Sequence, residues 1–233
     1  GVSLVLTGVD AEFDGDLVTL AAADGFRLAV YKLPLAKKVS QKTKVIIPAR
    51  TLAELSRLIT DQEEAVDITV DPEKSQALFR LKDKTRRIEL VSQMVQGSFP
   101  NYSQLIPQSY NTRAVVDVGA FLRATRTASI FARDGSGIVR LVMVPGSELT
   151  PGKMTISARS EEIGDDVGEI DAIIEGEEAK IAFNGKYLVD VLSVLDEKGQ
   201  VALETTNPSS PGVIRPVGVD NYIHVVMPMF VQW

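Results

Sequence analysis

The chain contains no cysteine. That removes a disulfide framework, a thiolate nucleophile and any cysteine-based zinc site, and it fits a reducing cytoplasm, the expected location. Histidine is nearly absent as well, with His224 the single copy. A Ser-His-Asp triad would have to recruit it from "NYIHVVMPM", where its β-branched neighbours make a structural strand histidine the better reading. No apolar run approaches the roughly 18 residues that span a bilayer. Residues 1–9, "GVSLVLTGV", carry no cationic region, so no signal peptide is expected there. Positive charge is short too: 25 Lys and Arg against 31 Asp and Glu give a net charge of -6. That excludes a protein held on nucleic acid by a global field and leaves room only for local basic faces. What remains is a globular composition, 45% apolar and 24% charged over 233 residues, enough for two ordinary domains or one large one.

Most of the chain alternates with period two. In "VDAEFDGDLVTL", Val9, Ala11 and Phe13 face away from Asp10, Glu12 and Asp14, and Asp14-Gly15 reads as a hairpin turn. The same letters imitate the start of a calcium loop. Its twelfth position, which must carry a bidentate Glu, is Ala21, so the hairpin is preferred and no metal is expected. "AVDITVDPEKSQALFRLKDKTRRIELV" predicts further strands, with Val66, Ile68 and Val70, then Ala77, Phe79 and Leu81, turned inward. Three segments change to helical spacing: 48–60, 117–132 and 184–197. Leu52, Leu55, Leu58 and Ile59 stripe the first; Tyr187, Leu188, Val191, Leu192 and Leu195 stripe the third. Asp117 and Asn184 are candidate N-caps.

Superposing Leu52 on Leu188 exposes an internal repeat, because a strand precedes each helix and two strands follow it. The strands of 1–31 likewise correspond to those of 138–174. The second copy reads strand, helix, three strands, twice over, and the first begins after its opening strand and helix. "GSFPNYSQLIPQSYNT", 97–112, is the linker. The expected class is α+β, with antiparallel sheet on one side and helices on the other.

Six stretches then carry a family resemblance, in order along nearly the whole chain. They are "ADGFRLAV" (23–30), "IIPARTLAELSRLI" (46–59), "GSFPNYSQLIP" (97–107), "IAFNGKYLVDVLSVL" (181–195), "NPSSPGVIRP" (207–216) and "HVVMPM" (224–229). Together they resemble the bacterial sliding clamp, the beta subunit of the replicative DNA polymerase. The resemblance implies the DNA-clamp fold of repeated β-α-β-β-β units. Residues 1–104 match most of the family's middle domain and 105–233 its C-terminal domain, with the first domain and the opening of the second outside this sequence.

The resemblance also implies a function. Clamp protomers close as a homodimer into a ring around duplex DNA, sheets outside and helices facing the hole. They bind DNA without sequence preference and hold the replicative polymerase, clamp loader and repair polymerases through short peptides. They do so without catalysis, cofactor or membrane. Carried over by position, the peptide cleft between the two domains draws on Leu6, Ala23, Gly25, Phe26, Arg27, Leu28, Pro100, Gln104 and Leu105. Its other side takes Asn184, Tyr187, Ser209, Pro211, Val225, Val226, Met227, Pro228 and Met229. Gly25 would admit the peptide, and polarizable Met227 and Met229 suit varied apolar anchors. Read without the family, "VVMPM" is a core strand ending at a proline. Arg57, Arg123, Arg126 and Lys186 are candidate DNA-facing cations, and a solvated helix face explains the same charges.

The chain departs from the family pattern at Ala23, at Gln104, where a cation is usual, and over 230–233. There Phe230 and Trp233 read equally as a widening of the cleft, as packing, or as a tag remnant. Two rivals remain. A carboxylate-based enzyme would use "SEEIGDDVGEID" (160–171), but Glu161, Glu162, Asp165 and Asp166 beside Gly164 and Gly168 read as a solvated loop. The other rival is a monomeric clamp fragment acting only as a peptide-binding module.

Overall fold

The computed structural model describes residues 3–59, 62–133 and 135–233. The chain separates into two compact units. Unit 1 runs to Gly25 and resumes over Val30–Asn101; unit 2 comprises Phe26–Ala29 and Tyr102–Trp233.

Unit 1 opens with β1 (Gly8–Asp14), β2 (Leu17–Ala23), β3 (Arg27–Pro34) and β4 (Thr43–Pro48). These pair antiparallel in the order β3-β2-β1-β4. The first hairpin closes over Gly15-Asp16, with Asp14 opposite Leu17. Helix α1 (Ala49–Leu58) follows, then β5 (Asp67–Asp71), β6 (Gln76–Lys82) and β7 (Arg87–Gln93), which form a second, three-stranded sheet. The core gathers Ala11, Phe13, Val18, Ile47, Ala77 and Phe79, so the alternation puts Ala77, Phe79 and Leu81 inside as anticipated. Ile68 corrects the expectation, being 38% exposed. It lies on β5, which among the described residues is an edge strand of this sheet, paired with β6. The last residue of the anticipated first helix, Thr60, lies outside the described residues.

Unit 2 repeats this plan with an additional strand and helix at its start. In chain order it has β8 (Thr112–Asp117), α2 (Val118–Ala132), β9 (Ile138–Val144), β10 (Gly152–Ser160), β11 (Gly164–Gly176) and β12 (Ala179–Asn184). Helix α3 (Gly185–Leu192) and strands β13 (Gln200–Thr205), β14 (Gly212–Pro216) and β15 (Tyr222–Val226) complete it. The sheet order is β12-β9-β10-β11-β8-β13-β14-β15, so β8 joins two groups of strands into one sheet. In β10, Met154, Ile156 and Ala158 are buried and the residues between them are not, the signature of a sheet with one covered face.

Helix α2 packs on that face through Val118, Phe121, Leu122, Thr125, Ala128 and Ala132, spaced three and four apart. It adjoins α3 through the same core, which includes Phe183, Leu188, Val191 and Leu192. Two helix expectations need correction. Helix α3 stops at Leu192 rather than near 197, and Leu195 reaches the core from the following turn. Asn184 caps α3, its side chain accepting from the Lys186 N–H at 2.9 Å, but Asp117 makes no such bond. The first two amides of α2 donate instead to backbone carbonyls, Val118 N–H to Gly199 and Gly119 N–H to Glu197.

Candidate functional site: an aromatic and methionine surface on unit 2

Phe26 and the first three residues of β3, Arg27–Ala29, belong to unit 2, whereas the rest of β3 belongs to unit 1. Gly25, directly before them, has φ +90, a left-handed conformation that favours glycine. A Cβ there would meet no other atom of the chain within 4 Å, so the turn of the chain accounts for the glycine and the space beside it is open.

Beyond the turn, one side chain organises the surface. Tyr187, on the third residue of α3, stacks against Phe26 with ring centroids 6.4 Å apart and planes 29° apart. The Arg27 guanidinium lies 4.1 Å from the centre of the same tyrosine ring and donates from Nη1 to Asp190 Oδ2 at 2.6 Å. Asp190 is three residues after Tyr187, so both project from one face of α3. A cation held by a ring and a carboxylate at once has little rotamer freedom left. Asp190 escaped the sequence reading; its spacing from Tyr187 was the available signal.

The end of β15 completes the surface. Met227 N–H donates to the Phe26 carbonyl at 2.8 Å, and Met229 N–H to the Ala182 carbonyl at 2.7 Å. Phe26 is 60% and Met227 44% exposed, while Leu28, Val225 and Val226 on the strands leading to and from them are buried. Exposed aromatic and thioether side chains are suited to receiving apolar groups.

The remaining candidates lie on other elements of the two units. Gln104 and exposed Leu105 lie in a short 3-10 turn of unit 2, and Ser209 closes an Asx turn by donating its N–H to Asn207 Oδ1 at 2.8 Å. Half-buried Pro211 precedes β14, and Pro228 is half-buried between the two methionines. Leu6, Ala23, Gly25 and Pro100 belong to unit 1. In the tail, Arg140 Nη1 donates to the Gln232 carbonyl at 2.6 Å, and the Trp233 ring lies 5.3 Å from that guanidinium and 5.9 Å from Lys180 Nζ. Phe230 is exposed.

Of the helix cations, Arg123 and Arg126 share the exposed face of α2 opposite Leu122 and Thr125. Arg123 stands 3.6 Å from Glu197, and Arg57 on α1 pairs with Glu54. Exposed Lys186 follows the Asn184 cap.

The carboxylate-rich stretch departs from a loop. Glu161 and Glu162 are in a turn, but Asp165 and Asp166 belong to β11, paired across β10 with Arg159 and Ala158. Among the described residues no group of three His, Asp or Glu could hold a metal ion. His224 is buried on β15, its Nδ1 3.2 Å from the Tyr222 hydroxyl, and burial pushes the Tyr222 phenol up to about 12.

Comparison with known proteins identifies the family. Residues 2–101 match the family model for the DNA polymerase III beta subunit, central domain, and 103–230 the model for its C-terminal domain. The chain belongs to the beta sliding clamp family. It is 34% identical to the beta sliding clamp of Staphylococcus aureus over 97% of its own length, and 33% identical to that of Bacillus subtilis over the same share. The solved Bacillus subtilis sliding clamp superposes with a TM-score of 0.87 at 32% identity, covering 99% of this chain and 58% of that one. The DNA polymerase III subunit beta of Pseudomonas aeruginosa gives 0.84 at 26% identity, covering 99% and 60%. The chain thus spans 56% of the length of its Staphylococcus relative, and both units have the antiparallel α+β clamp fold. No helix among the described residues is long and apolar enough to cross a membrane.

Proposed function

We propose that this chain is part of a cytoplasmic, non-catalytic processivity factor. In the full-length protein it would contribute to a homodimeric ring around duplex DNA and tether a polymerase, a clamp loader and repair enzymes by their short peptides. The observation that carries the reading is the Phe26–Tyr187–Arg27–Asp190 array beside Met227, in a chain matched by two clamp-domain models in succession. A Leu or Phe anchor laid over Phe26 and Met227 would bury apolar surface at about 25 cal/mol per Å². Asn184 and nearby backbone groups would orient the peptide's glutamine. The remaining positions, Leu6, Ala23, Pro100, Gln104, Leu105, Ser209, Pro211 and Met229, are proposed as further lining.

For DNA, the chemistry required is weak, blind to sequence and strongly dependent on salt. Arg126 and Lys186, with Arg57 and Arg123 beside their carboxylates, supply a few cations on helices of an otherwise acidic protein, which favours sliding over arrest. The test is binding of a fluorescent peptide carrying Gln-Leu-x-Leu-Phe. We expect a micromolar dissociation constant, about -8 kcal/mol, weakened about tenfold by Met227→Ala. Absence of binding by a folded sample would remove the peptide site and leave the fold. Light scattering tests the narrower reading, a monomeric peptide-binding module, favoured by the 56% span of the Staphylococcus relative. A dimer of this chain would overturn that reading.

A further inference from the structure

The chain has five methionines and no cysteine, so no thiol stands ahead of the thioethers as the target of a mild oxidant. The fold sorts the five sharply. Met143 and Met154 are in the core of unit 2, each at 0% exposure. Met94 and Met229 are half-buried. Met227 is the exposed member, at 44%.

The backbone keeps Met227 in that position. Its N–H donates to the Phe26 carbonyl at 2.8 Å, and two residues further on the Met229 N–H donates to the Ala182 carbonyl at 2.7 Å. Pro228, between them, has a fixed φ. A segment fastened on both sides keeps its register, and the preceding positions, Val225 and Val226, already occupy the interior.

An accessible thioether is a soft, polarizable nucleophile. Its sulfur attacks one oxygen of hydrogen peroxide, the O–O bond breaks, and the departing hydroxide takes the proton left on the transferred oxygen. The products are one sulfoxide and one water. Peroxide must reach the sulfur for this to happen, so Met143 and Met154 react only as fast as the fold opens around them.

We propose that Met227 is a site of oxidative modification, converted by hydrogen peroxide to the sulfoxide ahead of the other four methionines. The step depends on exposure and holds whatever the chain binds. Its consequence rests on the peptide-binding reading. A sulfoxide is polar where the thioether was apolar, so a Leu or Phe anchor laid on Met227 would have to strip water from an S=O group.

The experiment treats the whole chain with dilute hydrogen peroxide at neutral pH and follows the five methionines by peptide mass spectrometry. We expect Met227 to gain oxygen at least about tenfold faster than Met143 and Met154, with Met94 and Met229 between them. Binding of the Gln-Leu-x-Leu-Phe peptide to the same samples should weaken about tenfold as Met227 is consumed. Methionine sulfoxide reductases supplied with a dithiol, which is oxidised to the disulfide as the oxygen leaves in water, should restore the affinity. In Met227→Leu the fast phase should vanish, and the peptide affinity, whatever its value, should be the same before and after peroxide. Oxidation of Met227 no faster than that of the buried pair would overturn the assignment of the site. An affinity unchanged while Met227 is consumed, or falling equally in Met227→Leu, would overturn the effect on binding. If the untreated chain binds no peptide, the peptide reading falls, and the order of oxidation alone decides the site.

Discussion

Ala49 and Gly185 open α1 and α3, the corresponding helices of the two repeats, 136 residues apart. Ala49 is exposed. Gly185 is buried so tightly that a Cβ would stand 2.5 Å from Ser129 Oγ and 2.7 Å from Val139 Cγ2. The contrast continues along both helices. Leu188 and Val191 are fully buried, whereas their counterparts Leu52 and Leu55 are only half-buried and α1 has no buried residue at all. Both helices carry the same apolar stripe. What differs is the neighbour: α3 packs against α2 as well as β12, while α1 lies chiefly on β4. Amphipathic spacing selects the face of a helix that turns inward, and the layers around it decide how much of that face leaves water.

The sharpest way to break this comparison is to truncate the paired leucines. Leu188→Ala should destabilise the chain by about 3–4 kcal/mol, and Leu52→Ala by about 1 kcal/mol, measured by urea denaturation. Equal losses would show that the two helices are buried alike in solution. Next in size is Gly185→Ala. Its methyl must displace Ser129 and Val139, so we expect a loss of about 2 kcal/mol despite alanine's better helix propensity. The reverse change, Ala49→Gly, should cost only the propensity, about 1 kcal/mol or less.

The buried titratable groups of the two units extend the contrast to pH. Tyr222 in unit 2 is raised from 10 to about 12 by burial. A raised folded value means that its contribution is fully present below pH 10 and is lost as pH climbs towards 12. Tyr222→Phe should remove about 1–2 kcal/mol of that alkaline loss, seen as a flatter denaturation midpoint across this window. Asp10 in unit 1 is also raised, again by burial. Its contribution is therefore present at acid pH and lost as pH rises through its folded value. Asp10→Asn should gain about 1 kcal/mol at pH 7, a rise of about 2–4 °C in Tm. That gain should shrink as the pH falls below 4. A gain independent of pH would assign the effect to packing.

Much of this was legible in the chain. Alternation identified β1 and β6, and the spacing of Leu52 and Leu188 gave both the helices and the repeat. The strand ends slipped where alternation carries no information. Ile68 keeps the pattern of an inward residue but sits on a strand paired on one side, so a pattern of two cannot distinguish it from Phe79. Asp117 has the right letter for a cap, yet the first two amides of α2 donate to the backbone carbonyls of Gly199 and Glu197 instead. The candidate surface shows the same division. Phe26, Arg27, Tyr187 and Met227 were named from motifs, while the spacing of Asp190 from Tyr187 put both on one face of α3 without showing that Asp190 anchors Arg27.

The sequence by itself determined the α+β class, the repeat, the inward faces and the family, because each is written in local periodicity or in short stretches read in order. Only the tertiary structure decided that α1 stays half-wet while α3 is sealed. It alone fixed the pairing of Arg27 with Asp190 and left Asp10 Oδ1 without a hydrogen-bond partner among the described residues. Burial and pairing at these positions depend on groups tens of residues away in the chain, and no local pattern records which of them arrive.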